Sequence, residues 1–179
     1  MGFFILKILL FIIWLLISYT IIKAFSSLAP WVPIFNKDIN RAITLINLGP
    51  NEKFIDLGCG NGRLCFAVSK KTTGTVYGIE LAWPLYVTCK IRQFYYNKKN
   101  IQFIFGNLFK INFADYNVLY IYGLPDKIKN GLSDKIAKEA KQGTRIISYC
   151  FEIPNLKLIK IDQPTKADLP IYSYLIQVK

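Results

Sequence analysis

Phe54-Ile-Asp-Leu-Gly-Cys-Gly-Asn-Gly-Arg-Leu64 is the stretch that decides the fold. Phe54, Ile55 and Leu57 make a buried, strand-like apolar run. Gly58, Gly60 and Gly62 then form a turn stripped of side chains, and Arg63 and Leu64 open a helix. A strand, a glycine turn and a helix in that order let a nucleotide-like ligand press against the backbone. A dinucleotide fingerprint needs a small residue where Arg63 stands, because close helix-to-strand packing and the pyrophosphate both require the space. Arg63 excludes that reading.

Asp56 ends the first strand, and the next one, Thr75-Val-Tyr-Gly-Ile-Glu80, closes on a carboxylate. Asp-x-Gly-x-Gly-x-Gly followed by Glu80 resembles the cofactor signature of class I S-adenosylmethionine methyltransferases. The resemblance implies S-adenosyl-L-methionine as cofactor. Gly58, Cys59, Gly60 and Gly62 would pass beneath its methionine part, and Glu80 would accept from both ribose hydroxyls. A carboxylate suits two hydroxyl donors, since charge-assisted bonds are roughly twice as strong as neutral ones. Leu81 follows Glu80 and is placed to pack on the adenine face, a position an ordinary core leucine also fills. Gly106-Asn-Leu-Phe109 stands where the family commonly holds adenine through an acidic residue. Asn107 replaces that acid here, with Leu108 beside it, and an amide oxygen accepts more weakly. The alternative reading of the glycines and Glu80 is a tight strand-to-helix turn with a solvated strand end.

The 179 residues carry 23 Lys and Arg against 11 Asp and Glu, a formal charge of +12. A surface that basic suits an anionic membrane leaflet or nucleic acid, or is simply Lys-rich and solvated. There is no histidine, which removes a His general base, a Ser-His-Asp or Cys-His arrangement and any imidazole metal ligand. Cys59, Cys65, Cys89 and Cys150 lack paired C-x-x-C spacing, so neither a zinc site nor a disulfide framework is expected.

Gly2 to Ile22 is apolar with Lys7 as its single charge, long enough for a bilayer core of roughly 30 Å at 1.5 Å per residue. The reading is a transmembrane anchor over 1–23, a proline-marked linker over 24–35 and one catalytic domain over 36–179. The competing reading is a cleaved signal peptide. Lys23, Lys37 and Arg41 follow the apolar run, so the positive-inside bias predicts a single-pass membrane protein with its domain on the cytoplasmic side and the lipid bilayer as a partner.

Helices are predicted over 36–48, 63–70, 82–96 and 126–141, the last with Asp126 as N-cap and weakened by Gly131. Strands are predicted over 54–57, 75–80, 101–105, 117–122, 144–149, 156–161 and 171–178. The segment between the third and fourth strands is too short for a normal crossover helix. Seven strands with alternating helices make an α/β, Rossmann-like three-layer sandwich with its final strand inserted antiparallel. Ligands bind beyond the carboxyl ends of such strands, where Asp56, Glu80, Asn107 and Tyr122 fall.

The fourth strand ends in Tyr120-Ile-Tyr-Gly-Leu-Pro-Asp126, where amine-modifying relatives place acceptor-binding groups. The Asn-Pro-Pro-Tyr sequence of nucleobase methyltransferases is absent, so nucleic acid is not the expected substrate. A lysine amine has a pKa near 10.4, so about one in a thousand is neutral at pH 7.4 and the site must desolvate it or take its proton. Tyr122, Trp31 and Asp126 are the candidates to surround a methylated ammonium. Plain strand packing also explains the Tyr120 and Tyr122 alternation.

An N-terminal apolar segment, Ala29-Pro-Trp-Val-Pro33, the 54–65 motif, Tyr122-Gly-Leu-Pro125 and Ser148-Tyr-Cys-Phe151 with Pro154 together look like a small membrane-anchored methyltransferase family. That family includes the lysine methyltransferases of the ATP synthase c-ring protein and of the adenine nucleotide translocase. The resemblance implies a protein lysine N-methyltransferase acting on a membrane protein. A lipid or isoprenoid methyltransferase and a non-catalytic basic module binding membrane or RNA are the alternatives.

Overall fold

In the computed structural model, β1 (Lys53–Leu57) is buried at every residue but its first, because its apolar side chains lie on both faces and helices cover each side. The structure describes residues 2–25 and 32–177. β1 is the centre of a seven-stranded sheet. β2 (Thr75–Glu80) and then β3 (Ile101–Phe105) lie on one side of it. β4 (Val118–Ile121), β5 (Arg145–Tyr149), β7 (Ile171–Leu175) and β6 (Leu158–Asp162) follow in that order on the other. β1 to β5 pair in parallel, and β7 is antiparallel to both β5 and β6. The expected α/β architecture with an antiparallel inserted strand is the one observed.

Each face of the sheet carries its own core. On one, α2 (Asn36–Ile46) and α3 (Arg63–Ser69) bury Ala42, Ile46, Leu64 and Phe66 against Phe54, Val118 and Tyr149. On the other, Leu57, Ile79 and Ile121 meet Phe113 and Ile136 of α6 (Ser133–Glu139). α4 (Trp83–Tyr96) starts with Pro84 in its first turn, where the missing N–H costs nothing. Two single 3-10 turns, Leu108–Lys110 and Phe113–Asp115, replace a crossover helix between β3 and β4.

The helix expected over 126–141 is broken. A short α5 (Pro125–Lys127) runs into a wide turn through Ile128–Leu132 before α6 begins. Gly131 is the cause: its φ of +101° is open to glycine and strained for other residues. Leu124, not Asp126, occupies the N-cap position, and no side chain caps the helix there.

The membrane expectation also needs correction. α1 (Gly2–Phe25) is helical, and its side chains from Phe3 to Trp14 are exposed around the whole helix. The unbroken run of described side chains, 2–16, spans roughly 22 Å at 1.5 Å per residue, against a hydrocarbon core of roughly 30 Å. Among the described residues no helix is long and apolar enough to cross a membrane. The single-pass localisation, with the bilayer as partner, is therefore overturned.

Candidate active site

The turn leaving β1 has its backbone groups tied down by residues far apart in sequence. The Gly58 and Cys59 N–H groups both donate to the Ile79 carbonyl at 3.0 Å. The Gly60 N–H donates to Glu80 Oε2 at 2.8 Å, and the Ala82 N–H to Glu80 Oε1 at 2.8 Å. On the far side the Cys89 thiol and the Arg92 guanidinium of α4 reach the Gly60 and Asn61 carbonyls at 3.2 and 2.5 Å. Glu80 is therefore a brace for the turn. Each carboxylate oxygen has two acceptor sites, so one on each remains for a ribose hydroxyl.

The glycines serve different ends. Gly58 has φ +86°, and a Cβ built there meets nothing within 4 Å, so its backbone is open to a ligand. Gly62 has φ +72°, but a Cβ would lie 2.8 Å from the Phe103 ring and 3.1 Å from Cys89 Sγ. Its smallness serves packing against the protein rather than against a ligand.

Asp56 is buried beside this turn, 5% exposed. Burial pushes its carboxyl up to about 7; the Cys65 thiol at 3.7 Å opposes that shift, while the Glu80 charge adds to it. Glu80 is raised as well, by burial, against the pull of its backbone N–H donors. Cys59, Cys65 and Cys89 are buried free thiols. Burial pushes Cys65 up to about 12, and its bond to Cys65 first of all pushes Cys59 up, so neither is a ready nucleophile.

A cleft opens between this turn and the end of β4, walled by Asp56, Gly58, Gly60, Tyr120, Tyr122 and Arg63. Val32, Pro33 and Ile34 close its outer side, with Ile34 buried in the core and its carbonyl held by Arg63 Nη1 at 3.0 Å. Arg63, which excluded a dinucleotide, thus anchors a wall from 29 residues upstream. Tyr122 is half-buried, and its ring meets Tyr149 edge to face at 4.8 Å. The Tyr149 hydroxyl donates to the buried Asp38 carboxylate at 2.7 Å, which Arg41 also holds at 2.6 Å. The acceptor-side ring is thereby set by a chain of contacts running into α2.

The other expected residues fall as follows. Asn107 is exposed, and its oxygen accepts from the Phe109 N–H at 2.9 Å, capping the first 3-10 turn. Leu81 is half-buried. Leu108 is buried in the core with Ile79. Asp126 is exposed on α5, outside the cleft walls. Trp31 lies outside the described residues. Arg63, Cys89 and Arg92 were not marked by the motif, because their partners become neighbours only after folding. Tyr120 carried one signal, its two-residue offset from Tyr122 on a strand, which puts both on one face.

These groups fit S-adenosylmethionine: an open glycine backbone, spare acceptor sites on Glu80 and a buried carboxylate beside them suit a ligand with ribose hydroxyls and two cationic centres. Similarity to known proteins points the same way. The family model described as ANTKMT methyltransferase domain matches residues 56–160. A protein-lysine N-methyltransferase of Saccharolobus islandicus (strain REY15A) is 28% identical over 131 residues, covering 69% of this chain and 78% of that protein. The Homo sapiens lysine N-methyltransferase named for the c-ring protein of ATP synthase is 27% identical over 127 residues, covering 70% of this chain and 53% of that protein. The chain spans about half the length of the ATP synthase-directed enzymes it matches. In fold it is similar to an RNA methyltransferase from Salinibacter ruber solved with S-adenosyl-L-homocysteine, with a TM-score of 0.76 and 20% identity over 83% of this chain and 95% of that one.

Proposed function

The chain belongs to the ANTKMT methyltransferase domain family and is an S-adenosylmethionine-dependent methyltransferase, and from that premise we propose that its acceptor is the side-chain amine of a protein lysine. The observation that carries the reading is the juxtaposition, across one cleft, of the Glu80-braced glycine turn and the aromatic end of β4. When bound, the cofactor supplies a methyl group on a sulfonium, which an amine displaces without a metal.

The residues of the chain have three tasks in this reading. Glu80 and the turn hold the nucleoside, with the carboxylate on the ribose hydroxyls. Tyr122, fixed by Tyr149, presents an aromatic surface to the incoming amine, an attraction of roughly 0.5 to 2 kcal/mol for a cation on a ring. The apolar wall at Val32 to Ile34 thins the water around the reacting atoms, which favours the neutral amine over the ammonium. Positioning supplies most of the rate in such a displacement.

Purified protein with radiolabelled cofactor and the isolated c-ring protein of ATP synthase, for which four of the relatives are named, tests the reading. Label on a lysine located by mass spectrometry, lost with Glu80→Ala, is the expected result. Label that partitions with lipid or RNA instead of protein would overturn it.

A further inference from the structure

Among the described residues the Tyr120 hydroxyl is one of two buried side-chain groups without a hydrogen-bond partner. Its side chain is 2% exposed, yet it forms part of the cleft wall. A phenylalanine would fill the same space and leave no polar atom unpaired, so the hydroxyl is what needs a reason. Its neighbour gives the clue. Tyr120 pairs in register with Asp56 across β4 and β1, about 4.8 Å away on the adjacent strand, with both side chains on the same face. The Asp56 carboxylate takes a weak 3.7 Å bond from the Cys65 thiol, which leaves most of its acceptor capacity unused.

The cleft floor therefore offers a carboxylate and, beside it, an O–H with nothing to donate to. Such a pair is complementary to a group carrying a cation and an anion side by side, an α-amino acid end. A lysine side chain brings only a cation: it would serve Asp56 and give the Tyr120 O–H no acceptor. It must also enter from the mouth, where the half-exposed Tyr122 stands, rather than through the floor. We infer that Tyr120 donates to the α-carboxylate at the methionine end of the cofactor while Asp56 receives the adjoining ammonium. This rests on the cofactor assignment and not on the lysine reading.

The test is calorimetric and uses the full chain, wild type and Tyr120→Phe. Two probes are titrated: S-adenosylhomocysteine, and its decarboxylated analogue, which keeps the amine. Wild type should bind S-adenosylhomocysteine about tenfold or more tighter than the analogue, as for a hydrogen bond to a charged group. Tyr120→Phe should lose that preference, binding the analogue as wild type does. Its melting temperature without ligand should equal or exceed that of wild type, because no intramolecular bond is removed. Equal weakening of both probes, unchanged binding of S-adenosylhomocysteine, or a marked fall in melting temperature would each overturn the inference. Wild type that binds the probe but methylates no lysine would sink the lysine reading and leave this one standing.

Discussion

The two walls of the cleft are built on opposite plans. On the β1 and β2 side the turn is closed upon itself: Ile79, Glu80, Cys89 and Arg92 take up its backbone groups, so its shape is set before any ligand arrives. On the β4 side Tyr120 keeps an unpaired hydroxyl, Tyr122 is held only by ring packing, and the helix that follows breaks at Gly131. A ligand of fixed shape is met by a rigid wall. Its reacting partner, which belongs to another macromolecule, is met by aromatic faces and an interrupted helix.

The largest expected effect comes from breaking the rigid wall at its packing. Gly62→Ala forces a side chain to within 2.8 Å of Phe103 at a positive φ, and should cost about 3 kcal/mol from overpacking plus backbone strain. Chemical denaturation measures it, and a cost below about 1 kcal/mol would show that the wall yields. Glu80→Ala comes next: it removes a partner from two backbone N–H groups and from the ribose, so affinity for S-adenosylhomocysteine should fall by about 2 to 3 kcal/mol. Unchanged affinity in the folded variant would show that Glu80 holds the turn alone and not the ligand.

On the acceptor side, Tyr122→Ala should weaken the protein acceptor by about 1 kcal/mol, read as a raised KM, with cofactor affinity unmoved. A change in cofactor affinity instead would erase the division between the two walls. The smallest effect concerns pH. Asp56 is raised from 3.8 to about 7, so between those values the folded chain keeps a proton that the unfolded chain has released. Stability from this group is highest below about pH 4 and is lost as pH rises toward 7. The melting temperature of Asp56→Asn minus that of wild type should therefore climb by a few degrees across that window and level off above it, and a flat difference would show Asp56 to be better solvated than its burial implies.

How much could be read in advance differs between the walls for a physical reason. β2 and β3 have the bounds that alternation and glycine punctuation predict, and Glu80 stands where the strand ends, because these features are written in contiguous residues. Asn107 misled for an equally local reason: its side chain is within reach of the N–H two residues on, and takes it as a cap. The Arg63 bond to Ile34, the Arg92 bond to Asn61 and the chain from Tyr122 through Tyr149 to Asp38 span 29 to 111 residues and have no local pattern. α1 was misjudged because hydropathy alone was asked to fix a location.

The placement of β7 between β5 and β6 has a consequence for the order of assembly. Synthesis proceeds from the N-terminus, so β6 leaves the ribosome before the strand that is its neighbour in the sheet. Until β7 follows, β6 has no place to dock and β5 presents an open edge, with the Tyr174 hydroxyl that later accepts from the Ile153 N–H still missing. The parallel half of the sheet, which holds the glycine turn, is complete in sequence by Tyr149. The nucleoside half of the cleft can thus form while the chain is still being made, and closure of the sheet waits for its last strand.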